Sequence, residues 1–251
     1  MAPPSTPSRT TATKTSTTEK KYRITRRPLA ERPKVGTQAI KILVGEKEEP
    51  FLVHLGHLRS TSDFFQRALR VGATFKENNE SILRLSQFAP ETFSLYVEYI
   101  YTGELSIESD DRKQEQTTIA KLVVLADYLQ STELHNVAVD AFVNRQSPYL
   151  GPTSLAAVKI ARDGLRPDSP FMRLLVDMWI WRDFAPRETE VIDRLSEGLG
   201  AFWFKVAQGK NRFMKSGSWD KKDYPWVVDK SQYYCEKVDE NVETSQEHRI
   251  Q

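Results

Sequence analysis

One cysteine, Cys235, stands in a chain of 251 residues. A single thiol excludes an internal disulfide and a thiolate-rich zinc site. Such sparing use of cysteine suits a reducing compartment, so cytoplasm or nucleus is the expected location. No run of about 18 apolar residues occurs, so no membrane span is expected. The first residues also lack the apolar stretch of a secretory signal. Histidine is scarce too, with four in the chain. His54 and His57 stand three apart and could supply two metal ligands, but no third ligand lies near them, and His135 and His248 belong to other segments. Phosphate-binding glycine patterns are incomplete. "GLGAFW" from Gly198 lacks the third glycine of a dinucleotide fingerprint and follows no strand. Gly209-Lys210 has Phe204 where a phosphate loop needs glycine and Asn211 where it needs a hydroxyl. The expectation is a protein that is not an enzyme and needs no cofactor and no metal.

What is present divides unevenly. The net charge of +2 conceals an arm over residues 1–34 with nine basic and two acidic side chains, hence +7, against −5 for the remainder. The arm is Ser/Thr/Pro-rich, has little to bury and reads as disordered. Pro3, Pro4 and Pro7 interrupt the amphipathic helix that a mitochondrial presequence requires. "KKYRITRRPLAERPK" could serve as a nuclear import signal or touch phosphates without sequence preference, although charge runs are commonly just solvated.

From Ala39 the chain gains a core. "AIKILVG" has the β-branched content and closing glycine of a strand, with "FLV" at 51–53 as its hairpin partner. Leu58, Phe65 and Leu69 are spaced for one buried helical stripe. "SILRLS" alternates as a half-buried strand does. Pro90 opens a helix with Phe93, Tyr96, Val97, Ile100 and Tyr101 on one face, closed by Gly103. A second stripe follows at Ile119, Leu122, Val123, Ala126 and Leu129, and a third at Leu134, Val137, Ala138, Ala141 and Phe142. Pro152 to Ala161, then Phe171 to Trp179, extend the helical series, and "RETEVIDRLSEGLGAFWFKVA" reads as a last long helix weakened near Gly198 and Gly200. Strands threaded among helices, then helices alone, make an α+β fold with a helical extension.

Three blocks in this order form a recognisable pattern. His54, Leu58, Ser62 and Phe65 fit H-x3-L-x3-S-x2-F. "APETFSLYVEYIYTGEL" contains the Tyr99, Tyr101 and Gly103 ending, and "KLVVLADYLQSTELHNVAVDAFV" completes a helix pair. Together they resemble a BTB/POZ domain over residues 39–145. Residues 148–210, with "SPFMRLLVDMWIW", are similar to the helical extension of single-domain fungal BTB proteins. An aromatic-rich then polar, partly disordered tail at 211–251 completes the division. Its aromatics (Phe202, Trp203, Phe204, Phe213, Trp219, Tyr224, Trp226, Tyr233 and Tyr234 with the preceding helix) read either as a binding face or as packing of the tail onto the helices.

The resemblance implies a small sheet with helical hairpins, architectural roles for the motif residues, and recruitment of protein partners. It implies His57, outside the pattern, as a surface residue. It further implies an adaptor or scaffold, one use being a substrate adaptor of a cullin-RING ubiquitin ligase with a client held by the helical extension. In that role Phe75 and Glu77, in "TFKENNE" after the helical hairpin, would dock the cullin as an aromatic anchor beside a carboxylate. The bland alternative is that Phe75 closes the core and Glu77 is solvated. A nuclear, transcription-associated regulator with a basic arm is the other reading. The charged pair that marks the corepressor pocket in repressors of this family is replaced by Ala39 and Leu55, which weighs against it. Pro28 and Pro33 leave no apolar N-terminal helix to exchange in a dimer, so the oligomeric state stays open.

Overall fold

The computed structural model describes residues 36–69, 82–107, 109–144, 153–181, 198–214 and 224–236. β1 (Ala39–Val44) and β2 (Glu49–His54) form an antiparallel hairpin, paired from Ala39 with His54 to Val44 with Glu49. The connecting turn has positive φ at Gly45 (76°) and Glu48 (52°). Gly45 donates its N–H to Leu85 O at 3.1 Å, and a Cβ there would meet the Pro90 ring at 3.1 Å, so glycine satisfies both the backbone and the close approach. β3 (Ile82–Leu85) lies parallel to β1 on its other side, giving the order β2-β1-β3. Ile40, Ile42 and Val44 alternate inward on β1, as period-two patterning requires, and Val53, Leu83 and Leu85 join them.

Between β2 and β3 lie two short helices, α1 (Leu55–Thr61) and α2 (Asp63–Ala68). α3 (Pro90–Thr102) starts with proline at its first position, where the missing N–H costs nothing. It ends at Gly103, whose φ of 73° and N–H to Tyr99 O bond of 2.7 Å close the helix in the left-handed conformation. α4 (Arg112–Tyr128) is capped by Asp111, whose carboxylate accepts from Lys113 N at 2.8 Å. α5 (Thr132–Asn144) packs against it. The buried faces match the spacing read above: Ile119, Leu122, Val123, Ala126 and Leu129 on α4, and Leu134, Ala138 and Phe142 on α5.

The helical continuation consists of α6 (Leu155–Gly164), α7 (Pro170–Ile180) and α8 (Gly200–Met214), then a short helix α9 (Pro225–Val228) and a 3-10 turn at Lys230–Tyr233. α6 begins two residues beyond Thr153, later than the proline-opened segment expected. Its entrance is fixed by Gln116 of α4, whose Oε1 accepts from Ser154 N at 2.7 Å. α6 lies on α4 and α7 on α8. The apolar core therefore runs without a break from Ile40 of the sheet through Val206 of α8 to Trp226 and Tyr233 of the C-terminal segment. The expected long final helix does not run through its glycines. Gly198 has φ of 77° and α8 begins only at Gly200, because a left-handed residue cannot continue a right-handed helix. No helix among the described residues is long and apolar enough to cross a membrane.

Candidate interaction site

The motif residues converge on the junction between the α1–α2 hairpin and the end of α3. His54 ends β2 and precedes α1. Its backbone N–H donates to Tyr101 Oη at 3.1 Å and its Nδ1 lies 2.7 Å from the same oxygen. The phenol thus accepts from the backbone and shares one hydrogen with the ring, so one side chain of α3 fixes both the chain turn and the imidazole. Tyr101 is 42% exposed, so this clasp faces solvent on one side. Tyr99, two residues earlier, is buried, and Gly103 ends the helix just beyond.

Ser62 holds the hairpin to the rest of the domain. Its Oγ accepts from Phe65 N at 3.2 Å, capping α2, and donates to Leu129 O at 2.5 Å at the end of α4. One buried hydroxyl therefore satisfies an orphan donor of one helix and an orphan acceptor of another. Leu58 and Phe65 are fully buried beneath it, Phe65 stacked on Tyr96 at 6.3 Å. Phe75 and Glu77 lie outside the described residues, in the segment that joins α2 to β3.

His57 is not on the surface. It is buried, its ring tilted against Tyr101 at 4.5 Å. Tyr101 covers it from α3, a partner that local spacing around His57 cannot reveal. Burial pushes its pKa below the ordinary 6.5, the neighbouring His54 adds to the lowering, and a hydrogen bond with the Ile100 backbone opposes both. His135 on α5 is also buried with a lowered pKa; desolvation dominates, and Asn136 and Asp127 pull the other way. The sign of the linkage follows. Between the folded and unfolded pKa values the unfolded chain binds the extra protons, so stability is full above 6.5 and is lost as pH falls below it. Each histidine contributes a slope of at most about 1.4 kcal/mol per pH unit. Urea titrations between pH 7 and 5 are expected to show falling stability, with a shallower fall in His57→Gln and in His135→Gln. Parallel slopes in wild type and both variants would rule this out.

Beside the clasp an aromatic row crosses to α4. Phe64 lies 5.3 Å from Tyr128, and Tyr128 lies 5.0 Å from Phe88. Tyr128 and Phe88 then border a groove closed by Lys121 and Val124 of α4 and by Ile160 and Gly164 of α6. Among the described residues no group of three or more His, Cys, Asp or Glu side chains could hold a metal ion. What these surfaces offer is apolar and hydrogen-bonding contact, the chemistry of recognition.

Of the aromatics in the C-terminal part, Phe202, Trp226 and Tyr233 are buried and Phe204 is exposed. The side chain of Phe213 and all of Trp219 lie outside the described residues, as does the arm at 1–34.

A family model described as BTB/POZ domain matches residues 39–146. A solved structure, the BTB (Tramtrack and Bric a brac) domain of human gigaxonin, is similar at 17% identity over 41% of this chain and 75% of that one, with a TM-score of 0.32. No curated protein matches the chain. The three-stranded sheet, the two helical hairpins and the sequence blocks that join them meet in one assignment: residues 39–146 of this chain are a BTB/POZ domain, a module for protein–protein interaction.

Proposed function

We propose that the protein is an adaptor that brings a client to a cullin-RING ubiquitin ligase, with Phe75 and Glu77 as the cullin contact. One observation supports this reading above others. The tripeptide Phe75-Lys76-Glu77 falls between α2, ending at Ala68, and β3, beginning at Ile82, the stretch that follows the helical hairpin. An aromatic anchor is the kind of side chain that concentrates binding energy in a desolvated pocket, and a neighbouring carboxylate can meet a donor on the partner. Affinity capture of the tagged full chain with mass spectrometry tests it. Phe75→Ala with Glu77→Ala is expected to remove cullin from the captured set, by at least tenfold, with the thermal unfolding midpoint unchanged. Equal cullin recovery from wild type and the double variant, or none from either, would refute the docking role.

A further inference from the structure

The segment after α8 is seated on two helices in the manner of a bound peptide. α5 presents Asn136 and Asp140, and α7 presents Arg173 and Asp177, each pair four residues apart and so on one helical face. All four side chains contact the tail. Asn136 reads backbone: its Oδ1 accepts from Cys235 N at 2.8 Å and its Nδ2 donates to Cys235 O at 3.1 Å. This two-bond pairing mimics the edge of a strand and fixes the amide's orientation. Because Oδ1 accepts there, the His135 Nδ1 that lies 3.3 Å from it must be the donor. Arg173 donates to Gln232 O at 3.1 Å. Asp177 accepts from the Tyr233 hydroxyl at 2.6 Å, and Asp140 accepts from the Tyr234 hydroxyl. Lys230 reaches the same Asp140 oxygen at 2.7 Å. Lys230 to Tyr233 form a 3-10 turn, and Tyr234 leaves it with extended backbone, φ −86° and ψ 151°.

Side chains read the tail by three kinds of feature: main-chain groups, two adjacent phenols, and a preceding lysine. Backbone pairing by Asn136 is independent of sequence, whereas carboxylate acceptors select neighbouring O–H donors. Covalent attachment supplies the tail at an effective concentration in the millimolar range, so even a weak site would be filled by it. From this geometry we infer that the α5–α7 face is a peptide-binding site for Lys-x-x-Tyr-Tyr segments that take a 3-10 turn up to the first tyrosine, with the chain's own residues 224–236 as the resident, displaceable ligand. A protein partner presenting two adjacent tyrosines at the end of such a turn is the kind that competes for it. This inference does not depend on cullin docking, since it uses neither Phe75 nor Glu77.

The test uses the full chain and a fluorescent peptide of sequence YPWVVDKSQYYCE, copied from residues 224–236. Tyr233→Ala with Tyr234→Ala in the chain vacates the site and is expected to raise peptide affinity at least tenfold over wild type, measured by anisotropy. Adding Asn136→Ala and Asp177→Asn should reverse that gain. A peptide phosphorylated on its third tyrosine, the counterpart of Tyr234, should bind at least tenfold more weakly, because a phosphate dianion would face the Asp140 carboxylate. A vacated chain that folds but binds no better than wild type, or that binds the phosphopeptide equally, would overturn the proposal. For a vacated chain that fails to fold, a protease site placed within residues 215–223 of the otherwise wild-type protein gives the answer. After cutting, the tail fragment should leave on dilution while the body keeps its circular dichroism and rebinds the peptide. A fragment that stays bound at nanomolar concentration, or a body that unfolds on its loss, would mark the tail as a fixed part of the core.

Discussion

Trp179→Ala is expected to destabilise the protein by about 3–5 kcal/mol, the range for deleting a fully enclosed large aromatic. Trp179 is 2% exposed at the centre of the α7–α8 contact. Its ring meets Trp203 at 5.1 Å and Phe202 at 6.4 Å, both edge-on, so neither neighbour can collapse into the space without leaving its own favourable geometry. The loss is a large part of a typical folding free energy of about 5–15 kcal/mol. It should not stay confined to the extension, because the core is continuous through α6 and α4 into the sheet. All five tryptophans lie beyond residue 178, so their fluorescence reports the extension alone, whereas circular dichroism at 222 nm reports every helix. In urea, both signals are expected to shift together to a lower midpoint. A change under 1 kcal/mol, or a fluorescence transition that moves while the dichroism stays, would show the packing to be looser or the core divided.

Gly164→Ala is the second large effect, and it acts at the joint itself. A Cβ at Gly164 would lie 2.3 Å from one methyl of Val124 and 2.7 Å from the other. Valine is β-branched and stiff, so rotating it cannot clear both contacts. Alanine's better helix propensity offsets at most about 1 kcal/mol. Forced separation of α6 from α4 should cost about 1–3 kcal/mol net. Val124 is only partly buried, so Val124→Ala makes room at small cost of its own. The double variant is expected to recover most of the loss, and a double-mutant cycle in urea measures the coupling. Additive losses would mean that the clash is not what Gly164 avoids. Gly209 sits in a similar constraint: a Cβ there would lie 2.1 Å from the δ-methyl of Ile180 and 2.7 Å from its Cγ1, and isoleucine too is β-branched.

Particular residues show where sequence stops being informative. Gly103 closes α3 with positive φ, as its place after a helical stripe announced. Ser62 could be read as a cap from its place before a helix, but its second bond, to Leu129, depends on α4 arriving from far along the chain. His57, outside the motif pattern, reads as a surface residue; in the fold Tyr101 covers it from another helix. Asn136, Asp140, Arg173 and Asp177 look like ordinary solvated positions on amphipathic helices. Only the docked tail distinguishes them, through bonds to residues 232–235.

By itself the sequence determined the periods, the caps, the breakers, the lack of disulfide chemistry, and the motif blocks that mark a BTB/POZ domain. These are local properties: a stripe of apolar side chains states which face must be covered, and a glycine or proline states where the backbone can turn. Tertiary structure decided what does the covering. It set β3 beside β1, buried His57 under Tyr101 and drew the tail across α5 and α7. The hydrophobic effect that drives burial is non-directional, so it fixes how much surface must be hidden and leaves the choice of partner to shape and hydrogen bonding between distant segments.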